Sequence, residues 1–430
     1  MTSDLERLPV EILSVVFTNL KIKDFLNLAA CSKTLHDVSL LDSVWQNLIQ
    51  KAYGIKRGKY TKYAARLFFE KMLYPYHKML GYWTMDDTSY YGGLLKISLE
   101  QGGDIICQEV FAPSTCEQLS DDVEMEDVFR ISIDDSGEYA SIACLRDLTS
   151  RYNTQPSEDN CAIPFPDDEK GLKRLQQPFL VQLLDSGCSG SSTLSIICRE
   201  CCSCTYQGRP PLDERRDLRF LQPSSLNSRL FLQDFAQQRN NERFQYMITA
   251  NKISLAPPPL PPTVSIIDTG VFKGTYSIHE VELILFQYTT CPGENGAPAN
   301  HAIQGLKLTG DSNIPAGKIT FKANLKDRIV LSSAQDNHNL DFLKKIDCCE
   351  VIEDTPQPFA SSFICDVPDF DFPKTCIARL KAKIQVSEHE YKSPSFIDAH
   401  FIVFSQNLCA LMTFDFEDIM LFERVKGLGV

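Results

Sequence analysis

The densest run of reactive side chains is Cys198-Arg199-Glu200-Cys201-Cys202-Ser203-Cys204. Cys198 with Cys201, and Cys201 with Cys204, have the C-x-x-C spacing that lets two thiolates reach one tetrahedral ion. A closed site needs four ligands, and Cys144 or Cys188 can complete it, so the sequence offers Cys144, Cys198, Cys201 and Cys204 as a structural zinc set. The alternative is a group of free thiols on a variable loop. Other catalytic residue types are thinly spread. The 7 histidines fall in no metalloprotease, hydrolase or kinase signature, and no glycine-rich phosphate loop opens a helix. The chain reads as a non-catalytic protein that requires no cofactor, a structural zinc being possible, with specificity rather than bond-making as its contribution.

Composition narrows the partners. The net charge is −13 and no Lys/Arg run occurs, which argues against nucleic acid and against an anionic membrane surface as partners. Residues Met1 to Arg7 lack the basic start and apolar core of a signal peptide, and no apolar run approaches the roughly 20 residues that span a bilayer. The expected location is the cytoplasm and nucleus, where the 16 cysteines stay reduced. A length of 430 residues allows one large and one small domain.

The elements that would position any site begin with helices. Pro9 suits a first helical turn, and Ile12, Val16 and Leu20 recur at helical spacing with Leu13 and Phe17 widening the stripe. Asp24 is placed to cap a second helix and Asp42 a third, the latter carrying Val44, Trp45, Leu48 and Ile49. Such short helices cannot bury this much apolar surface alone. The stripe therefore either meets a partner or packs on the rest of the chain.

Leu8-Pro9-Val10-Glu11-Ile12-Leu13, Val16-Phe17, Leu20, Asp24-Phe25-Leu26, Leu28-Ala29-Ala30-Cys31-Ser32 and Trp45 resemble the F-box motif nearly position by position. The resemblance implies an F-box over residues 3–50 that clamps the S-phase kinase-associated (Skp) adaptor, and through it a cullin and its RING subunit. It also implies that Leu8, Pro9, Ile12, Leu13 and Phe17, with Leu20 and Trp45, form the adaptor-binding set.

Residues 51–80 read as a packed helical connector, with Thr61 as cap and Ala64, Leu67, Phe68 and Met72 on one face. From residue 81 to 430 strands dominate. Candidates run from Gly92–Leu99 through Val128–Ile133 and Tyr139–Cys144, and again from Val271 to Phe422. Between them lie an irregular insertion at about 145–243, with strands at 179–184 and 193–198 and a partly helical piece at 220–235, and a Pro-rich spacer at 256–263. That spacer is either a stiff link or a ligand for an SH3-like domain. Many short strands with Gly/Pro turns and no fixed-period repeat point to an α+β chain, a small helical unit followed by a large, mostly antiparallel β-barrel-like domain, which the resemblances make an F-box and a substrate-binding domain.

Gly270-Val271-Phe272-Lys273-Gly274-Thr275-Tyr276 and Leu306-Lys307-Leu308-Thr309-Gly310-Asp311-Ser312-Asn313-Ile314-Pro315-Ala316-Gly317 closely resemble the F-box only protein 31 family. So do Leu80-Gly81-Tyr82-Trp83 and Phe372-Pro373-Lys374-Thr375-Cys376, in the same order. The resemblance implies the receptor subunit of a Skp–cullin–F-box (SCF) ubiquitin ligase whose barrel holds the C-terminal ends of its substrates, either cyclin D or damaged proteins ending in an amide. It also implies a Cys/His zinc site, from which this chain departs, since no His lies between His77 and His279.

An amide end carries two N–H donors, and a fixed Asp accepts from it while repelling a carboxylate. Asp311 is the candidate acceptor, Lys273 and Thr275 candidate donors, Tyr276 a candidate wall, and Lys307 and Thr309 complete the substrate-binding set. The competing reading makes Asp311 an ordinary turn-former. Two wider alternatives stand beside the ligase reading: an F-box structural adaptor without a role in ubiquitination, and a small-ligand barrel fused to an F-box.

Overall fold

Four helices open the chain: α1 (Val10–Thr18), α2 (Ile22–Ala29), α3 (Lys33–Ser39) and α4 (Asp42–Tyr53). The computed structural model describes residues 4–85, 92–113, 116, 119–137, 139–145, 163–164, 179–185, 192–198, 246–253, 266–276, 281–291, 300–333, 336, 338–349 and 356–428. Pro9 is the N-cap of α1, its ring fixing the backbone for the first turn.

Three caps differ from expectation. α2 begins at Ile22, so Asp24 lies inside its first turn, where it favours the helix dipole but does not cap. α3 was not anticipated from periodicity; Ser32 caps it by accepting from the Leu35 N–H at 3.3 Å. Asp42 is the first residue of α4, and its carboxylate reaches away to the N–H of Ala65 at 2.6 Å. It therefore caps the connector helix, the role expected of Thr61. That connector runs as α5 (Ala65–Phe68), a π turn (Phe69–Leu73) and α6 (Tyr74–Tyr76). Pro75 has no N–H to give the ladder, and the wide turn just before it is a known way for a helix to adjust.

Nine antiparallel strands form the next layer: β1 (Gly81–Met85), β2 (Leu94–Leu99), β3 (Ile105–Phe111), β4 (Glu124–Ile133), β5 (Ala140–Cys144), β6 (Ile163–Pro164), β7 (Phe179–Asp185), β8 (Ser192–Cys198) and β9 (Tyr246–Ile253). Their order is β6-β5-β4-β3-β2-β1-β9-β8-β7. Trp83, Ile97, Phe129 and Ile131 from this sheet share one buried core with Phe68, Met72, Trp45 and Phe17 from the helices. The helical unit is thus fused to the sheet through the connector.

The barrel follows. β10 (Gly270–Thr275), β11 (Val281–Cys291), β12 (Asn300–Lys307), β13 (Ile319–Arg328), β17 (Ala378–Glu388), β18 (Lys392–Val403), β19 (Leu408–Thr413) and β20 (Asp418–Arg424) pair in that order. β10 then closes on β20 through Phe272↔Arg424, Lys273↔Glu423 and Gly274↔Phe422. Closure removes the exposed edges an open sheet would carry. Short strands β14 (Gln357–Pro358) and β16 (Thr375–Cys376) pair with each other, and β15 (Ile364–Cys365) lies parallel to β20.

Phe272, Phe286, Phe321, Phe401 and Phe422 fill the barrel interior, with Phe272 and Phe286 stacked at 4.1 Å. Two glycines make room for them. A Cβ on Gly274 would collide with the Phe422 ring, and one on Gly305 with Phe321. Outside the barrel, Val271, Leu283, Leu285 and Leu308 pack with Leu94 and Val110 of the first sheet, so the two sheets share an apolar seam. No helix among the described residues is long and apolar enough to cross a membrane. The Pro-rich spacer and the stretch 220–235 lie outside the described residues.

Candidate functional site

The apolar set of the helical unit divides in two. Leu13, Phe17 and Trp45 are buried in the unit's own core, where Phe17, Phe25, Trp45 and Phe69 form a chain of ring contacts at 4.8, 4.8 and 5.1 Å. Trp45 Nε1 donates to the Ser39 carbonyl at 2.7 Å. These three side chains are therefore not surface residues, as the expected stripe required, because α4 and the connector cover them. Leu20 is half-buried. Leu8, Pro9 and Ile12 are exposed, and Val15 joins them. Leu8, Ile12 and Val15 follow i, i+4, i+7 spacing, which sets them on one face of the entry to α1. Exposed apolar side chains grouped in this way mark a partner surface.

The barrel candidates also divide. Along β10, Phe272 and Tyr276 belong to the interior core while Val271 belongs to the outer seam. Strand alternation then sends Lys273 and Thr275 outward with Val271. Both are engaged there: Lys273 Nζ donates to the Asp121 carbonyl at 2.5 Å, and Thr275 Oγ1 accepts from the Leu421 N–H at 2.9 Å. They do not converge with the other candidates on one pocket. Thr309 Oγ1 accepts from the Leu283 N–H at 2.8 Å, and Thr309 also bridges to Gly92, two residues before β2.

Tyr276, Lys307 and Asp311 do meet, inside the barrel wall. Lys307 Nζ lies 2.7 Å from Glu282 Oε2, pairs with Asp311, and sits 4.5 Å from the centre of the Tyr276 ring. The Tyr276 hydroxyl shares a hydrogen bond with Thr320 Oγ1 at 3.1 Å. Asp311 Oδ1 accepts from the N–H groups of Asn313 and Ile314 at 2.6 and 2.7 Å, which is the turn-forming use of the residue. With its other oxygen on Lys307, Asp311 is not left over as a free acceptor.

Glu282 was not anticipated. It is 2% exposed, with Oε2 2.7 Å from Lys307 Nζ and its side chain also hydrogen-bonded to Asp311. Its signal in the sequence was a single carboxylate in the apolar run Val281-Glu282-Leu283-Ile284-Leu285-Phe286. Burial pushes the Glu282 carboxyl well above the usual carboxylate range; Lys307 opposes that rise and Asp311 adds to it. Burial alone would lower the Lys307 amine, but the two acidic neighbours outweigh it and hold the amine above its ordinary value. One cation between two carboxyls is neutral when one of them keeps its proton, and burial favours that proton on Glu282.

A second buried polar group lies elsewhere on the barrel. Arg379 Nη1 is 3.5 Å from His400 Nδ1, and its guanidinium lies 5.6 Å from the Phe359 ring. Burial lowers His400 well below its ordinary value, and the charges of Arg379 and Lys381 lower it further.

For the thiol set, Cys144 ends β5 and Cys198 ends β8, six places apart in the sheet order. That is roughly 30 Å measured along a sheet, so a shared site requires the sheet to curl back on itself. Cys188, Cys201 and Cys204 lie outside the described residues. Among the described residues no three of His, Cys, Asp and Glu gather as a metal site.

Residues 5–51 match the family model described as F-box-like, and residues 254–427 match the Cyclin D1 binding domain. Relatives include F-box only protein 31 of Mus musculus, 22% identical over 98% of this chain and 84% of the mouse protein. The Rattus norvegicus and Homo sapiens proteins of the same name are each 24% identical over 79% of this chain, and over 59% and 56% of their own lengths. The chain is thus similar to F-box only protein 31 over most of its length, and it carries an F-box-like region and a Cyclin D1 binding domain. It spans just over half the length of the rat and human proteins. The two matched regions divide as the structure does, an F-box at the helical unit and a binding domain over the closed barrel. That is the plan of an F-box substrate receptor.

Proposed function

We propose that the chain is the substrate-recognition subunit of an SCF ubiquitin ligase, docking the Skp adaptor through Leu8, Pro9 and Ile12 and holding the C-terminal end of a substrate protein at the Glu282–Lys307–Asp311 cluster. The observation that carries this reading is a helical unit whose core is closed while its α1 face stays apolar and exposed, joined by a packed connector to the first sheet, which in turn shares an apolar seam with the barrel. A rigid joint fixes the distance from adaptor to substrate, and proximity to charged ubiquitin then raises its effective concentration. The transfer chemistry belongs to the cullin and RING partners.

For substrates, the family resemblance favours cyclin D or C-terminally amidated damaged proteins, and the cyclin D1-binding match supports the first. Asp311 spends its oxygens on its own turn and on Lys307, so what the cluster offers a substrate end is the buried Glu282–Lys307 pair beside it. A terminal amide brings both a donor and an acceptor to that pair, and leaving such a group unmatched costs about 1–3 kcal/mol. The small-ligand alternative is disfavoured by the five phenylalanines that pack the barrel interior.

The test is to purify the full chain and an Ile12→Asp, Leu8→Asp variant with the Skp adaptor. Both are then titrated with a peptide pool presented once with free carboxylate and once with amide ends. Adaptor binding lost in the variant, with terminus-dependent peptide binding kept, is the expected outcome. Failure of the wild type to bind the adaptor would end the ligase reading. Leu13 and Phe17 are unsuitable targets because they are core residues.

A further inference from the structure

Strands β17 and β18 run past the rest of the barrel. β13 pairs with β17 only as far as Ile384, and β19 pairs with β18 only from Ala399 onward. The rungs Gln385↔Phe396, Val386↔Ser395 and Glu388↔Lys392 have no third strand among the described residues, so the hairpin projects as a two-stranded ribbon. Its tip holds three non-glycine residues in left-handed conformations, Glu390 (φ 62), Tyr391 (φ 53) and Ser393 (φ 50). Side chains on Cβ make that conformation costly, and such residues persist only where surrounding contacts impose it.

The imposing contacts lead to the candidate site. The Glu390 N–H donates to the Ser312 carbonyl at 2.7 Å. Ser312 is the residue after Asp311, inside the turn whose N–H groups Asp311 accepts. Tyr391 secures the same approach: its hydroxyl accepts from Gln385 Nε2 at 2.9 Å, and Lys318 Nζ lies 5.2 Å from its ring. Lys392 pairs with Glu390 at 2.6 Å across the tip.

We propose that the ribbon tip is a positioning device, in which the left-handed Glu390 presents its backbone N–H to Ser312 and so fixes the turn that holds Asp311 against Lys307. This rests on the reading of that cluster as the site for a substrate end. Glu390 acts through the turn rather than on substrate, and its side chain is not the active part.

Two substitutions separate backbone from side chain. Glu390→Gly keeps the N–H and adopts the left-handed conformation freely, whereas Glu390→Pro removes the donor and fixes φ near −65°. Each full-length variant is titrated with the pooled peptides in amide and free-acid form. We expect Glu390→Gly to bind as wild type with an equal or higher Tm. We expect Glu390→Pro to lose about tenfold or more in affinity together with its preference between the two ends. A purely structural role would lower Tm without changing that preference. If Glu390→Pro does not fold, replacing residues 388–392 with a two-residue Asn-Gly turn removes the donor and is held to the same readout. Undiminished affinity and preference in the donor-lacking variant overturns the proposal alone. Wild type without any terminus-dependent binding overturns the site reading and this proposal with it.

Discussion

In the helical unit, Ile12 and Val15 stand 49% and 59% exposed, whereas in the barrel Glu282, Lys307 and Asp311 are 2%, 1% and 5% exposed. Each region departs from the ordinary distribution of side chains, in opposite senses. Leaving a large aliphatic side chain in water forgoes about 1.5–3 kcal/mol of burial, which a docking partner restores. Taking an ion out of water costs several kcal/mol, which only partners already in place can offset. The α1 face is therefore finished by a second protein. The barrel cluster is finished within the chain, and what it offers a ligand is preorganised polarity.

The largest test of this contrast is Lys307→Met. It removes the one cation between two buried carboxyls, and breaking a buried pair by deleting one partner costs about 3–5 kcal/mol. Denaturant unfolding should show that loss. A change under about 1 kcal/mol would mean the cluster is wetter than its burial indicates.

Next comes a paired comparison in the helical unit. Phe17→Ala should cost about 3–5 kcal/mol of stability, since it empties a site at the centre of the ring contacts. Ile12→Asp should leave Tm nearly unchanged yet weaken adaptor binding by about 2 kcal/mol or more, as expected for an interface anchor. Equal losses of stability from both would erase the distinction between core and docking face. Calorimetry with and without the adaptor measures each.

The sequence made the two regions legible to different depths. Helical periodicity placed α1 and α4, and the apolar stripe was recognised as too much for a small unit to hide. Periodicity could not say which half of the stripe turns inward, because that depends on where the connector lies. The connector is placed in part by a long-range cap, Asp42 on Ala65, that no local pattern announces. In the barrel, strand texture identified the elements, but closure of β10 on β20 joins residues far apart in the chain. The motif around Asp311 drew attention to a loop whose polar groups serve its own turn. Glu282, on a strand, carries a weak signal, because one charge in an apolar run resembles simple alternation. Lys273 and Thr275 were misplaced for a related reason: their neighbours alternate inward while they point out.

The smallest effect is read by titration, and it contrasts the two buried polar groups of the barrel with each other. Glu282 holds its proton in the folded chain above the ordinary value of 4.5. As pH rises from 4.5, the unfolded chain loses that proton first, so the Glu282 contribution to stability declines until the folded carboxyl also titrates. His400 behaves in the opposite way. Its folded value lies well below 6.5, with Arg379 and Lys381 as the charges that disfavour protonation. As pH falls below 6.5 the unfolded chain gains a proton that the folded one refuses, so stability declines toward acid. Between 4.5 and 6.5 the two slopes oppose. Glu282→Gln should therefore expose a stability that climbs with pH across this window, and His400→Gln one that falls. If both variants keep the wild-type profile, neither group titrates in the way its burial requires, and the neutral, proton-sharing description of the Glu282–Lys307–Asp311 cluster fails with it.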